Sequence, residues 1–141
     1  MKYSYLKHYI GGQWVASDGG KRHEVINPAT EAPCTEVTLG TKADVNKAVK
    51  AARAAFEANY GASKDERIAM LGRILAEYQK RVPDIAEAIS TEMGCPISTS
   101  STAQAGSGMG HLASTLEALK GFAGEVSTGD NKGGGDPIGV V

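Results

Sequence analysis

A run of apolar residues at three- and four-residue steps constrains this chain more than any other feature. Ile68, Leu71, Leu75, Tyr78 and Val82 fall on one stripe of a helix. Ser63, with Glu66 three residues on, supplies a capping box: the hydroxyl takes a free backbone N–H and the carboxylate reaches back. Burying each stripe residue is worth roughly 1.5–3 kcal/mol and the cap only about 1, so packing decides the helix. Pro83 has no N–H and crowds the preceding turn, which predicts a kink or restart there. Ile85, Ile89 and Met93 resume the stripe, and Gly94 followed by Pro96 predicts a left-handed stop. Glu87 and Glu92 fall on the wet face as solvated residues, not as a general-base pair. The element is scaffold and needs neighbours.

Those neighbours are legible on both sides. His8–Val15 reads as strand, Gly11-Gly12 turn, strand, and His23–Ile26 as a further strand closed by Asn27-Pro28-Ala29-Thr30. A fourth extended piece runs from Cys34 to Leu39, so residues 1–40 predict a small antiparallel sheet or ribbon, marginal by itself. Thr41 and Asp44 form a second capping box, opening a helix with Val45, Ala48, Val49, Ala52 and Phe56 on one face and ending at Asn59-Tyr60-Gly61. Beyond Pro96, Met109, Leu112, Leu116 and Leu119 give another helical stripe with a weak first half. Gly106, Gly108 and Gly110 fall within it at a cost of about 1 kcal/mol each relative to alanine. Helices are thus expected within 41–126, three to four in all. Residues 127–141 read as a Gly-rich flexible loop followed by the beginning of a buried strand, Asp136 to Val141. The fold class of the chain alone is α+β.

Charge excludes several classes of partner. Fifteen basic residues against sixteen acidic, with few aromatics, give no footprint for nucleic acid or an anionic membrane. No stretch approaches the ~18 consecutive apolar residues of a membrane span. Met1–Ile10 lacks the unbroken apolar run of a signal peptide, and two cysteines are too few for a disulfide framework, so a cytoplasmic location is expected.

No residue is assigned a catalytic, cofactor-binding or metal-ligating role. Cys95 follows Gly94 at a helix C-terminus, where the dipole disfavours a thiolate. Cys34, between Pro33 and Thr35, has no local cation and reads as a strand residue. Gly106-Ser107-Gly108-Met109-Gly110 lacks both the Gly-x-Gly-x-x-Gly spacing and the preceding strand of a dinucleotide loop. Gly106 and Gly110 read instead as a close-packing pair. His8, His23 and His111 lie on separate elements with no further ligand in register.

One family resemblance spans essentially the whole chain. It rests on Tyr9-Ile10-Gly11-Gly12-Gln13-Trp14-Val15, Val25-Ile26-Asn27-Pro28-Ala29-Thr30 and the Thr41-capped helix with Asp44-Val45 and Ala54-Ala55-Phe56. Arg67, Leu71 and Ile74-Leu75, then Glu92-Met93-Gly94, and finally Pro137-Ile138-Gly139-Val140-Val141 follow in order. Together these resemble the amino-terminal portion of an NAD(P)-dependent aldehyde dehydrogenase. The resemblance implies a family fold of the α/β, Rossmann type, and a complete enzyme that oxidises aldehydes to carboxylates with NAD or NADP. It also implies that the Pro-Trp-Asn segment, the phosphate-contacting lysine, the glutamate base and the Gly-Gln-x-Cys nucleophile have no matching positions here. Residues 1–141 then form a partial domain whose partners are the remainder of the enzyme or other subunits, with no cofactor bound by this chain itself. Where family members, which are oligomers, carry a subunit-bridging strand, this sequence has Asn131-Lys132-Gly133-Gly134-Gly135 instead, a departure that puts normal oligomer assembly in doubt. Two other readings stay open from the residues alone. One is a non-catalytic helical interaction module. The other is a small thiol enzyme using Cys95.

Overall fold

The computed structural model describes residues 5–128, 131–135 and 139–140. Its elements run β1 (Lys7–Ile10), β2 (Gln13–Ala16), β3 (Arg22–Asn27), β4 (Ala32–Thr38), α1 (Lys42–Asn59), α2 (Lys64–Met93), α3 (Ile97–Thr99), a π turn (Ser100–Gln104), α4 (Ala105–Gly121), β5 (Glu125–Thr128) and β6 (Asn131–Gly134). The chain is α+β, as the sequence predicts.

The first four strands form two separate antiparallel hairpins, not one sheet. In the first, Gly11 and Gly12 both hold positive φ, at 60° and 80°, the backbone that a two-residue turn needs and a side chain resists. Tyr9 stands opposite Trp14 with ring centroids 5.2 Å apart. In the second hairpin, Asn27 Oδ1 accepts from the Ala29 N–H at 2.8 Å and the Asn27 carbonyl accepts from Glu31 N–H at 2.8 Å. This tight turn forces Glu31 to φ 54°, a left-handed position without a glycine. Val25 pairs with Thr35 and Ile26 with Pro33, so Cys34 is the extra residue of a bulge. A single parallel bridge, Tyr5 to Val37, and the Thr38 hydroxyl donating to Leu6 O at 3.1 Å link the strand regions.

Both sequence-read capping boxes are present, at Thr41/Asp44 and Ser63/Glu66. The helix runs through Pro83 as one element of 30 residues, so the expected restart is absent. Proline removes one ladder bond, and the stripe on either side holds the axis together across it. Gly94 terminates α2 at φ 69°, and a Cβ there would meet Pro28 Cγ at 2.9 Å. Glycine at this site thus serves both the left-handed cap and the seating of α2 against the β3–β4 turn.

The helical run after Pro96 is continuous but changes pitch. The Ala105 N–H bonds Ser100 O, the five-residue step of a π turn, before α4 begins. α4 packs on α2 where the Tyr78 hydroxyl donates to Ala105 O at 3.0 Å. Gly108 makes this approach possible: a Cβ there would lie 2.5 Å from Tyr78 Cζ. Gly106 and Gly110 have nothing within 4 Å of such an atom, so the expected Gly-x-x-x-Gly packing pair is replaced by Gly108 alone.

The helices end at Gly121, short of the expected bound at 126. Where a flexible loop was expected, β5 and β6 pair antiparallel, with Thr128 opposite Asn131. Gly129-Asp130 is a recognised two-residue hairpin signal, and the adjoining glycines masked it. A strand therefore stands at Asn131–Gly134, where the sequence departs from the family pattern. The strand expected over Asp136–Val141 lies mostly outside the described residues. Gly139 and Val140 are half-buried, and a Cβ on Gly139 would sit 3.4 Å from Arg53 Nη1 of α1.

Candidate functional site

The two cysteines are engaged through backbone contacts. The Cys34 thiol donates to Val25 O at 3.3 Å, as its bulged position dictates. Cys95 is half-buried just past the α2 C-terminus, and its carbonyl accepts from the Ser90 hydroxyl at 2.7 Å. His8 lies half-buried on β1, His23 is exposed on β3 and His111 is exposed on α4. Among the described residues no group of three or more His, Cys, Asp or Glu is arranged to hold a metal ion. Glu87 and Glu92 are exposed on α2, on the wet face the periodicity assigns them.

The carboxylate with the most distinctive surroundings is Asp44, a buried residue. It accepts from the Ser17 hydroxyl, from Asp18 N–H at 3.0 Å and from Thr41 N–H at 2.9 Å. The Ser17 hydroxyl, then the Thr41 and Asp18 backbone groups, hold its carboxyl well below the usual carboxylate range. Sequence reading found only its capping role. The structure adds a second: Asp44 ties the β2–β3 loop to the start of α1. The equivalent capping carboxylate, Glu66, is also lowered, by Ser63 N–H and then the Ser63 hydroxyl. Both Asp44 oxygens are committed to neutral donors, and one Glu66 oxygen takes both Ser63 bonds of its cap.

Two cations clamp helix ends. Arg67 donates to Ala62 O at 3.1 Å, Tyr60 O at 3.0 Å and Asn59 O at 3.4 Å, closing the α1–α2 connection. Lys64 donates to Lys120 O at 3.2 Å and Phe122 O at 3.4 Å, satisfying carbonyls at the end of α4. Neither role could be read from spacing, because both partners are backbone atoms brought near by folding.

The glycine run also fails as a nucleotide cradle. A phosphate loop needs free N–H groups on a turn between strand and helix. Here Gly106, Gly108 and Gly110 lie inside α4, with Gly108 occupied by the Tyr78 ring. This run does not fit the phosphates of a dinucleotide.

Comparison with known proteins then decides the family. The aldehyde dehydrogenase family pattern matches residues 14–141. The chain belongs to the aldehyde dehydrogenase family. A protein of Staphylococcus aureus (strain bovine RF122 / ET3-1), provisionally named an aldehyde dehydrogenase, is 41% identical over 136 residues, which are 96% of this chain and 29% of the relative. The crystal structure of an aldehyde dehydrogenase from Bartonella henselae superposes with a TM-score of 0.87 at 35% identity, covering 90% of this chain and 27% of that one. A variant of aldehyde dehydrogenase C from Pseudomonas syringae, solved with NAD+ and octanal, gives 0.85 at 35% identity over 92% of this chain and 27% of that one. The chain thus spans under a third of the length of the relatives it matches.

As an aldehyde dehydrogenase segment, the molecule has an unusually large surface. It exposes 9970 Å², whereas a compact monomer of its 14.6 kDa exposes about 6,900 Å². Among the residues whose burial is described, only Asp44, Ala86, Ser100 and Ala105 are buried. Val45 and Val49, on the expected apolar face of α1, remain 56% and 51% exposed. Met70 and Ile74 line an open groove along α2 with Tyr78 and Ile85. No helix of the described residues is long and apolar enough to cross a membrane.

Proposed function

We propose that this segment is the amino-terminal framework of an aldehyde-oxidising, nicotinamide-dependent subunit and supplies walls rather than reacting groups. The carrying observation is the mismatch between surface and mass: about 3,000 Å² beyond a compact monomer, the scale of an obligate interface. The apolar faces of α1 and α2 are the natural places for the remainder of the subunit to cover. Residues 1–141 are on this reading a partial domain, the leading part of a coenzyme-binding domain. The thiolate, the base and the coenzyme contacts come from elsewhere in the subunit, and the isolated chain binds neither NAD+ nor NADP+. The β5–β6 hairpin is available for contact with a second subunit. The unpaired thiols of Cys34 and Cys95 suit a reducing cytoplasm.

Complementation tests the proposal. The chain is co-expressed with the part of the staphylococcal relative that its match does not cover, and co-purification and aldehyde-dependent NAD+ reduction are followed. Association that restores activity, and its loss in Val45→Asp/Val49→Asp, is the expected result. A stable, cooperative oligomer of the chain alone that ignores the added piece would overturn the proposal in favour of a self-sufficient interaction module.

A further inference from the structure

We propose that Asp18-Gly19, in the β2–β3 loop, is a site of spontaneous isoaspartate formation, and that the modification unties this loop from α1. The inference does not rest on the framework reading: Ser17 to Lys21 carry no apolar side chain for the remainder of a subunit to cover. No other aspartate or asparagine in the chain is followed by glycine. The reaction needs a main-chain nitrogen free to reach the side-chain carboxyl of the residue before it. The Gly19 N–H donates to no acceptor among the described residues. Gly19 holds φ 77° with nothing within 4 Å of where a Cβ would lie, so nothing shields the approach. The Asp18 side chain is 66% exposed, and its carboxylate is held only by Lys47 at 3.3 Å, an open pair that solvent weakens. The Thr41 hydroxyl donates to Asp18 O at 3.1 Å, which draws electron density from the Asp18–Gly19 amide and makes its N–H a better acid.

The chemistry balances without a cofactor. Gly19 N attacks Asp18 Cγ and a C–N bond forms. The carboxyl C–O bond breaks, and its hydroxyl leaves as water with the amide proton. Water then opens the cyclic imide. Cleavage of the bond between Gly19 N and the original main-chain carbonyl leaves the chain running through Cβ and Cγ of Asp18, with no net change in mass. The consequence falls on Asp44. Before reaction, Asp18 N–H donates to Asp44 Oδ1 at 3.0 Å and Asp18 O accepts from Thr41. Afterwards the backbone is one methylene longer, and the carbonyl that Thr41 held has become a free carboxylate. Thr41 Oγ1 also lies 2.9 Å from Asp44 Oδ2, so the new charge arises beside the buried Asp44 carboxylate and repels it.

Ageing of the full chain in mildly acidic buffer at physiological temperature tests this. Its peptides are mapped by chromatography with electron-transfer fragmentation, which separates isoaspartate from aspartate at equal mass. Isoaspartate is expected at Asp18 ahead of every other aspartate, forming in the folded chain within about threefold of its rate in urea. Asp18→Glu, which keeps both backbone bonds but would have to close a larger ring, abolishes it, and Gly19→Ala slows it roughly tenfold. The separated modified fraction melts about 3–5 °C below the parent. No isoaspartate at Asp18, protection by the fold of about tenfold or more, or an unchanged Tm in the modified fraction overturns the assignment.

Discussion

Replacing Gly108 with alanine reverses the usual sign of a helical glycine substitution. In an open helix interior the change stabilises by about 1 kcal/mol, because alanine loses less backbone freedom. At Gly108 the new Cβ would sit 2.5 Å from Tyr78 Cζ and closer still to its hydroxyl oxygen. The ring must move, and overpacking of this kind costs about 1–3 kcal/mol. Movement also breaks the bond from the Tyr78 hydroxyl to Ala105 O, worth about 1 kcal/mol. The net expectation is destabilisation by about 1–3 kcal/mol, a fall in Tm of roughly 4–12 °C. Gly106→Ala and Gly110→Ala are the internal controls: both face open space and gain up to about 1 kcal/mol each. Helical circular dichroism in urea and thermal melts reads all three. Tyr78→Phe alone costs about 1 kcal/mol, and its effect shrinks in the Gly108→Ala background because the same bond is already lost. A Gly108→Ala chain as stable as the parent, or a destabilised Gly106→Ala, would refute the packing argument.

Three further outcomes follow from named contacts. Glu31→Gly relieves the left-handed φ of 54° and should stabilise by about 1 kcal/mol in thermal melts; an unchanged or lower Tm counts against strain there. Asp44 has a folded pKa below its ordinary 3.8, so its contribution is fully present above that value and drains away as pH falls through the lowered folded value. Stability followed from pH 7 into the acid range should therefore fall more steeply in the parent than in Asp44→Asn, and identical profiles contradict the assignment. Lys64→Gln should speed amide exchange at Phe122, whose N–H bonds Leu119 O at the α4 end that Lys64 pins; unchanged protection would show the clamp is idle.

Much of the fold was legible because it is written in local chemistry. Ser63/Glu66, Thr41/Asp44, Gly11-Gly12 and Gly94 each place a short-range bond or a backbone angle that only a few residue types permit. What sequence reading missed depends on groups far apart in the chain. Tyr78 selects Gly108 over Gly106 and Gly110 as the packing glycine, a choice fixed by where α2 lies and not by spacing. The Ser17 bond to Asp44 spans 27 positions and turns a helix cap into a tertiary tie. Pro83 removes one ladder bond, and α2 continues through it. The β5–β6 pairing was legible in principle, but the run of glycines in β6 reads as a linker. For the chemistry, the family motifs carried the reading, and the surface left open by Val45, Val49, Met70 and Ile74 gives it a physical basis.

One measurement bears most directly on the claim that this segment furnishes walls without a reaction centre. The purified chain is mixed with NAD+ or NADP+ and octanal, and reduced coenzyme is followed by its near-ultraviolet absorbance. A flat trace over hours is predicted, with the signal rising only when the complementary portion of the relative is added. Steady coenzyme reduction by the chain alone would contradict the account.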